Sequence, residues 1–283
     1  MTICNPLNQF IRFKNEIGQY SMTEEIKLNS TEKSIMILNA FIPLNQEMGT
    51  RELSRKLGLS SSTVSRILQD FLKYDIVQRN TQNNKYQLGI GMLLLGNSVN
   101  QSFAKNNVLQ VAEPYLVKLN QTTKENVGFV VLSRERMIIM RELDSPLRIK
   151  PVSHSVGSEP SWHCSASSRA MLSFSGEELQ RKFFKRKREK FTSKTITDLK
   201  TLKKQLIQIR ETGVSFDYGE KFDDVWAVAS PIFNHKSQPI AAVGTYGPAF
   251  RIKDRLEGEL TELTKKTARH ISLCLSYQPP SAD

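Results

Sequence analysis

The stretch Thr50-Arg-Glu-Leu-Ser-Arg-Lys-Leu-Gly58 constrains this chain most, because it writes a short helix and then stops it. Glycine enters the left-handed backbone region without a Cβ clash, which is how many helices end. Leu59 follows at once, and the serine cluster after it supplies side-chain oxygens that can cap a second helix. In that helix Val64, Ile67, Leu68 and Phe71 fall at i, i+3, i+4 and i+7, so one stripe is apolar. Ser62, Ser65, Arg66, Gln69 and Lys73 then turn outward and make a slim, polar, basic face. Helix, tight turn and helix is the expected unit.

The flanking segments extend it. From Ser30 the period is helical, with Ile35, Leu38 and Phe41 on one face and Ser30 or Thr31 available as the cap. Beyond the motif, Ile76-Val-Gln-Arg79 and Lys85-Tyr-Gln-Leu88 read as short strands around the polar turn Asn80-Thr-Gln-Asn-Asn84, a wing. Gly89 to about Asn106 is broadly apolar and suits a linker helix that packs against a second copy, so a homodimer is expected. Downstream, helices are expected near 108–124, 165–174, 198–212 and 253–276, and strands near 127–132, 137–143, 214–218, 226–233 and 240–246. Adjacent strand pairs in this mixed order indicate an α+β domain on a mostly antiparallel sheet. The expected organisation is a mobile arm over 1–27, a winged helix-turn-helix over 28–89, a linker helix over 90–107, a second domain over 108–278 and a tail over 279–283.

At 283 residues the chain can support two such cores. Its 40 lysines and arginines against 28 acidic residues, a formal charge of +12, favour a polyanionic partner. Cys4, Cys164 and Cys274 stand far apart, which implies neither a disulfide framework nor a zinc cluster and suits a reducing cytoplasm. With no leader-like core and no long apolar run, a soluble, unprocessed, cytoplasmic protein without a membrane partner is expected.

A second helix set across such a turn typically lies in the major groove of DNA with its early residues at base edges. Ser62, Thr63, Ser65 and Arg66 are the candidates for base contact, with Arg66 first because arginine bonds guanine in a bidentate manner. Thr50, Arg51, Ser61, Lys73, Arg79 and Lys85 are candidates for phosphate contact, and the wing asparagines, Asn84 among them, for the minor groove. The competing reading is a plain helical packing unit. The wing and the basic balance favour double-stranded DNA.

As a set, these residues resemble the isocitrate-lyase-regulator (IclR) family of bacterial transcription factors. The span from Thr50 to Leu68 looks like its helix-turn-helix, and Tyr86-Gln-Leu-Gly89 like the end of its wing. In the second half Trp162-His-Cys-Ser-Ala-Ser-Ser-Arg-Ala-Met-Leu172, Phe191 to Asp198, Ile209 to Asp217, Ala229-Ser-Pro-Ile-Phe233 and Gly247-Pro248 follow in the family's order. The resemblance implies a GAF-like effector-binding domain, a dimer or dimer of dimers, an operator, and a small-molecule effector, commonly an organic acid. It implies no cofactor and no enzymatic activity. Carried over position by position, it places the effector at Ala166, Ser167, Asp217, Ala227, Gly244 and Tyr246. Members that bind small hydroxylated or keto acids can carry a cysteine in place of Ala227 and serines in place of Gly244 and Tyr246, so a different effector is expected. Trp226, with Tyr246 and Trp162, offers a wall for an aromatic or bulky ligand, and core packing of Trp226 is the alternative.

Other features weigh less. His163-Cys164 has the composition of a thiol nucleophile and base, but neighbouring side chains on one backbone rarely face each other. His154 and His163 lack the close ligand spacing of a metal site. Asp217 suits either a ligand hydroxyl or its own turn, and Ser167, in a first helical turn, either an anion or its own cap. The run Arg181 to Lys190 is a solvated face or a second polyanion contact. The functional alternative from another class is a sensory or hydrolytic module on the GAF-like domain without specific DNA binding.

Overall fold

The computed structural model describes residues 28–42, 45–103, 108–151 and 154–279. The expected arm over 1–27, the end of the expected linker helix at 104–107 and all of the expected tail but residue 279 lie outside the described residues. Two compact units divide between residues 105 and 106.

In the first unit, α1 (Ser30–Ala40), α2 (Thr50–Leu57) and α3 (Ser61–Lys73) precede a two-stranded ribbon of β1 (Val77–Arg79) and β2 (Tyr86–Leu88). The cap of α1 is Asn29 rather than Ser30 or Thr31: its side chain accepts from the Glu32 amide at 2.9 Å, while Glu32 accepts from the Asn29 amide at 2.9 Å. This reciprocal capping box ties two of the amides that a helix start leaves unpaired. The buried side of α1 is Met36, Ile37 and Ala40, continued by Phe41, while Ile35 is exposed and Leu38 half-buried. As expected, Gly58 ends α2 at φ 65°, and Val64, Ile67 and Leu68 of α3 close the core with Leu53 and Leu57 of α2. Met48 bridges Tyr86 through two backbone bonds of 2.9 Å, adding a third short strand segment to the wing. A Cβ at Gly89 would stand 2.3 Å from the Asp75 carbonyl oxygen, so only glycine lets the chain leave the wing here. It leads into α4 (Ile90–Phe103), on which Ile90, Leu93 and Leu95 are 57%, 57% and 56% exposed.

The second unit is built on a five-stranded sheet in the order β4-β3-β7-β6-β5, antiparallel throughout. Its strands are β3 (Asn126–Ser133), β4 (Arg136–Leu143), β5 (Ser215–Tyr218), β6 (Val225–Phe233) and β7 (Pro239–Pro248). Because strand side chains alternate, Val130, Ala229 and Ala242 face α6 (Ala166–Phe174) and α8 (Leu199–Thr212), with Met171, Leu172, Leu202 and Leu206. Phe129, Ala241 and Val243 face the other way, onto α5 (Val108–Thr123) and α10 (Thr261–Cys274). The segment between α6 and α8 is partly helical, as α7 (Glu177–Phe184). The expected single last helix is broken: α9 (Ala249–Arg255) runs through a π turn, Leu256–Leu260, into α10. There the Thr261 hydroxyl donates to the Leu256 carbonyl at 2.6 Å, a local satisfaction that side-chain periodicity does not report.

Candidate functional site

The first candidate site is the outward face of α3 with the wing. Ser60 caps α3, accepting from the Thr63 amide at 3.2 Å and donating to Thr63 Oγ1 at 2.8 Å. Ser61 Oγ donates to Ser54 Oγ at 3.2 Å, and Ser54 donates to the Leu59 carbonyl at 2.6 Å, so the turn between α2 and α3 is braced by hydroxyls. Ser61 and Thr63 are thus already engaged, as is Ser62, whose Oγ lies 3.1 Å from Ser60 Oγ. Ser62 and Arg66 are exposed and Ser65 half-buried on the outward face; Thr50 and Arg51 lie in the first turn of α2, Arg51 exposed. Lys73 is held by Asp70 at 2.9 Å, both well exposed, and that hydrogen bond keeps the Asp70 carboxyl below the usual carboxylate range.

On the wing, the Arg79 guanidinium lies 5.7 Å from the centre of the Tyr86 ring and Lys85 stands 3.8 Å from Glu52. Asn84, at φ 58°, lets the wing turn back on itself, its amide donating to the Asn80 carbonyl at 2.9 Å. Asn80 and Asn83 both donate to the Glu47 carboxylate, at 2.8 and 2.6 Å, which fixes the tip. Glu47 is a contributor that the sequence reading missed, because it is more than thirty residues from its partners.

The second candidate site is a cavity of about 70 Å³ in the second unit. Since one buried water needs roughly 10–15 Å³ on such a measure, this is room for a small molecule. Two rungs of the sheet build its floor. Asp217, Ala227, Tyr246 and Asn126 stand opposite one another on β5, β6, β7 and β3, and Ala229, Gly244, Gly128 and Glu142 do so on β6, β7, β3 and β4. All six residues assigned by resemblance, Ala166, Ser167, Asp217, Ala227, Gly244 and Tyr246, line this one cavity. A Cβ at Gly244 would lie 3.0 Å from Ser167 Oγ, and one at Gly128 would lie 2.9 Å from Glu142 Oε1, so the two glycines make the room those side chains occupy. Ser165 precedes α6 without a side-chain cap, and the first amides of a helix have no partner within it.

Glu142, His154, Cys164 and Lys221 also line the cavity and were not singled out as its walls from sequence. Tyr246 donates to Glu142 Oε2 at 2.7 Å and accepts from Asn126 Nδ2 at 3.3 Å. Burial pushes the Glu142 carboxyl up to about 8, against the opposing effect of the tyrosine bond. Burial, followed by the Lys221 charge, pulls His154 down to about 4, so it is a neutral ring, 5.7 Å from that of Tyr246. Asp217 accepts from the Gly219 and Glu220 amides at 3.0 and 2.7 Å, closing its own turn, while burial raises its carboxyl above the usual range.

The cysteine and histidine side chains part company. Burial raises the Cys164 thiol to about 11, which keeps it protonated. His163 points elsewhere, Nε2 lying 2.9 Å from the Glu189 carbonyl and Nδ1 3.3 Å from Ser161 Oγ. His154 lines the cavity and His163 does not, and the described residues hold no cluster of three or more metal-binding side chains. The aromatic wall is corrected in two places: Trp226 packs edge-on to Tyr218 and against Val214, Val228 and Ile252, and Trp162 packs against Phe183 and Phe184. Trp162 is thus buried in the core, and Trp226 is half-buried against it because neighbouring residues of a strand face opposite sides and Ala227 takes the cavity side. From α6, on the cavity side of the sheet, Arg169, 1% exposed, joins Glu220 at 2.5 Å, the His163 carbonyl at 3.2 Å and the Phe216 carbonyl, anchoring β5.

Two family models match the chain: the IclR helix-turn-helix domain over residues 30–81 and the bacterial transcriptional regulator IclR C-terminal domain over 100–273. The chain is 26% identical over 273 residues to the HTH-type transcriptional repressor AllR of Salmonella typhimurium, covering 96% of this chain and 99% of that one. It is also 26% identical over 251 residues to the HTH-type transcriptional regulator XynR of Escherichia coli, covering 88% and 98%. An IclR homologue from Microbacterium hydrocarbonoxydans, solved in complex with 4-hydroxybenzoate, superposes with a TM-score of 0.76 at 21% identity, covering 87% of this chain and 99% of that one. Among the described residues no helix is long and apolar enough to cross a membrane.

Proposed function

The chain belongs to the IclR family of bacterial transcriptional regulators, and we propose that it reads its operator with α3 and senses a small organic or aromatic acid in the cavity of its second unit. The observation that carries the DNA reading is the outward face of α3, where Arg66 stands exposed beside Ser62 and Ser65 on a core-anchored helix. Arg66 reads a guanine edge, with Ser62, Thr63 and Ser65 beside it. Thr50, Arg51, Ser61, Lys73, Arg79 and Lys85 hold phosphates, and Asn84 brings the wing to the minor groove. Two copies joined through Ile90, Leu93 and Leu95 of α4, as a homodimer or dimer of dimers in the cytoplasm, span two half-sites.

In the cavity, the uncapped start of α6 with Ser167, together with Lys221, receives a carboxylate. Ala166, Ala227 and Gly244 line the body of the ligand. The ligand's far end meets Tyr246, while Asp217 keeps its own turn in shape. This chemistry is that of binding rather than turnover, since the one thiol lining the cavity is protonated and the imidazole next to it in sequence, His163, is turned to the Glu189 carbonyl. The effector acts by binding one of two arrangements of the DNA-binding units better than the other.

The test is selection of bound genomic fragments by the full-length protein, followed by titration of the winner and a scrambled duplex at several salt concentrations. A preference of about a thousandfold or more for the winner is expected. Adding small aliphatic and hydroxyaromatic carboxylates then changes operator affinity, and Ser167→Ala weakens that response. Equal, salt-sensitive binding to both duplexes would rule the operator reading out.

A further inference from the structure

Most of the excess positive charge of this chain lies outside its DNA-binding motif. Residues 28–89 carry eight lysines and arginines against five acidic residues, whereas the 24 residues of 181–204 in the second unit carry eleven against two. The formal excess of nine in this short segment is three quarters of the +12 of the whole chain.

Part of the segment is architecture. Lys182 pairs with Glu135 at 2.6 Å and Glu178 at 2.9 Å. Arg186 lies 3.6 Å from Glu159 and 4.0 Å from the centre of the Phe183 ring. Arg188 donates to the Thr197 and Phe184 carbonyls at 2.8 and 2.9 Å. From inside, Trp162 Nε1 donates to the Lys187 carbonyl at 3.4 Å, and His163 Nε2 meets the Glu189 carbonyl at 2.9 Å. The strap between α7 and α8 is therefore pinned through its backbone.

What that pinning presents is a set of cations with another orientation. Arg181, Lys185, Lys187 and Lys190 are exposed, and none is in an ion pair among the described residues. Lys200, Lys203 and Lys204 are exposed on α8 at i, i+3 and i+4, one helix face. Lys203 reaches 5.3 Å from the centre of the Phe184 ring, and Arg188 ties the strap to Thr197, so the two groups form one continuous surface. Lys200 sits in the first turn of α8, the end at which a helix disfavours a cation. So dense a patch of like charge weakens the fold that carries it, and a dense line of anions relieves the strain.

We propose that this patch is a second, sequence-independent DNA contact, in which Arg181, Lys185, Lys187, Lys190 and the lysines of α8 take phosphates of the duplex flanking the operator. It rests on the regulator reading above. Duplex DNA presents about one charge per 1.7 Å of axis, and once the winged helix has bound, tethering makes the flanking phosphates a local, high-concentration partner. An acidic protein surface has neither that density nor that delivery.

The experiment titrates full-length protein onto the selected operator in two duplexes, one trimmed to the site and one with long flanks of unrelated sequence, across a series of salt concentrations. For the unaltered chain, log affinity falls more steeply with log salt on the long duplex, by about 0.9 for each extra phosphate taken. The combined substitution Arg181→Gln, Lys185→Gln, Lys187→Gln, Lys190→Gln brings the long-duplex slope down toward the short one and leaves short-duplex binding unchanged. Lys200→Gln with Lys203→Gln and Lys204→Gln gives a second, independent reduction, and exchanging Arg and Lys at the first four positions restores the slope. Equal slopes on the two duplexes for the unaltered chain, or a neutralised chain that keeps the full difference, would overturn the proposal. The second outcome, coupled with loss of binding to an acidic protein, would assign the patch to that class instead. Operator preference with no flank effect removes this proposal alone, while absence of operator preference on the trimmed duplex removes the regulator reading and this one together.

Discussion

The outward face of α3 and the cavity of the second unit are both polar, and they differ in what has taken up their polar groups. On α3, Arg66 stands exposed on a helix anchored from beneath. In the cavity, Asp217 is bonded to its own turn and Tyr246 to Glu142 and Asn126, and Arg169 of α6 beside it is bonded to Glu220. The first region keeps its reading arginine available over an apolar core, its hydroxyls bracing only the turn. The second uses polar side chains as part of its fold, so changes there move stability and binding together, while changes on α3 move binding alone.

The largest expected effect breaks the second region. Arg169→Met strands Glu220 in the interior, which for a buried pair costs about 3–5 kcal/mol. Both tryptophans of the chain, Trp162 and Trp226, lie in this unit, so fluorescence during urea unfolding reports on it alone. A loss below about 1 kcal/mol would show that the ion pair does not hold β5. On α3 the matching change leaves stability alone: Arg66→Ala removes about 1–3 kcal/mol of discrimination between operator and scrambled duplex. Lys73→Ala weakens both duplexes equally and flattens the salt slope by about 0.9. If the two variants behaved alike, direct readout by Arg66 would be abandoned.

The pH response sharpens the contrast. A free glutamate ionises near 4.5, whereas Glu142 in the fold does so at about 8. Between those values the folded chain holds a proton that the unfolded chain has lost, so stability from this site is greatest below about 4.5 and declines as the pH rises toward 8. Glu142→Gln keeps an acceptor for Tyr246 and cannot ionise, so its stability relative to the unaltered chain rises across this window, by roughly 1.4 kcal/mol for each pH unit crossed. Thermal melts at pH 5 and pH 8 measure it, and a pH-independent difference would place the carboxyl in a solvated setting. The smallest effect is on α3: Asp70→Asn releases Lys73 from a solvent-screened, exposed pair, raising affinity for any duplex by a few-fold without altering preference.

The same contrast explains what was legible. The helix-turn-helix could be read because each signal lies within one or two turns of chain: Gly58 at positive φ, Ser60 under the Thr63 amide, and a stripe of Val64, Ile67 and Leu68. Even there the choice of Asn29 over Ser30 or Thr31 as cap fell to the pairing with Glu32. For the cavity, resemblance supplied six lining residues, but Glu142, His154 and Lys221 carry no local signature. Between a cavity wall and core packing for Trp226, only the strand's orientation decides. The +12 was read as supporting the DNA-binding motif, whereas most of the excess lies in 181–204.

The sequence by itself therefore determined the element types, the turn, the basic balance and the apolar stripes, since these depend on backbone preference and periodicity over a few residues. Tertiary structure alone decided that Asp217, Ala227, Tyr246 and Asn126 form one rung of the sheet, which groups lost their water, and which lysines remained on the surface. Sheet register joins positions about a hundred residues apart, and desolvation depends on everything packed around a group. Neither quantity is stored at any one place along the chain.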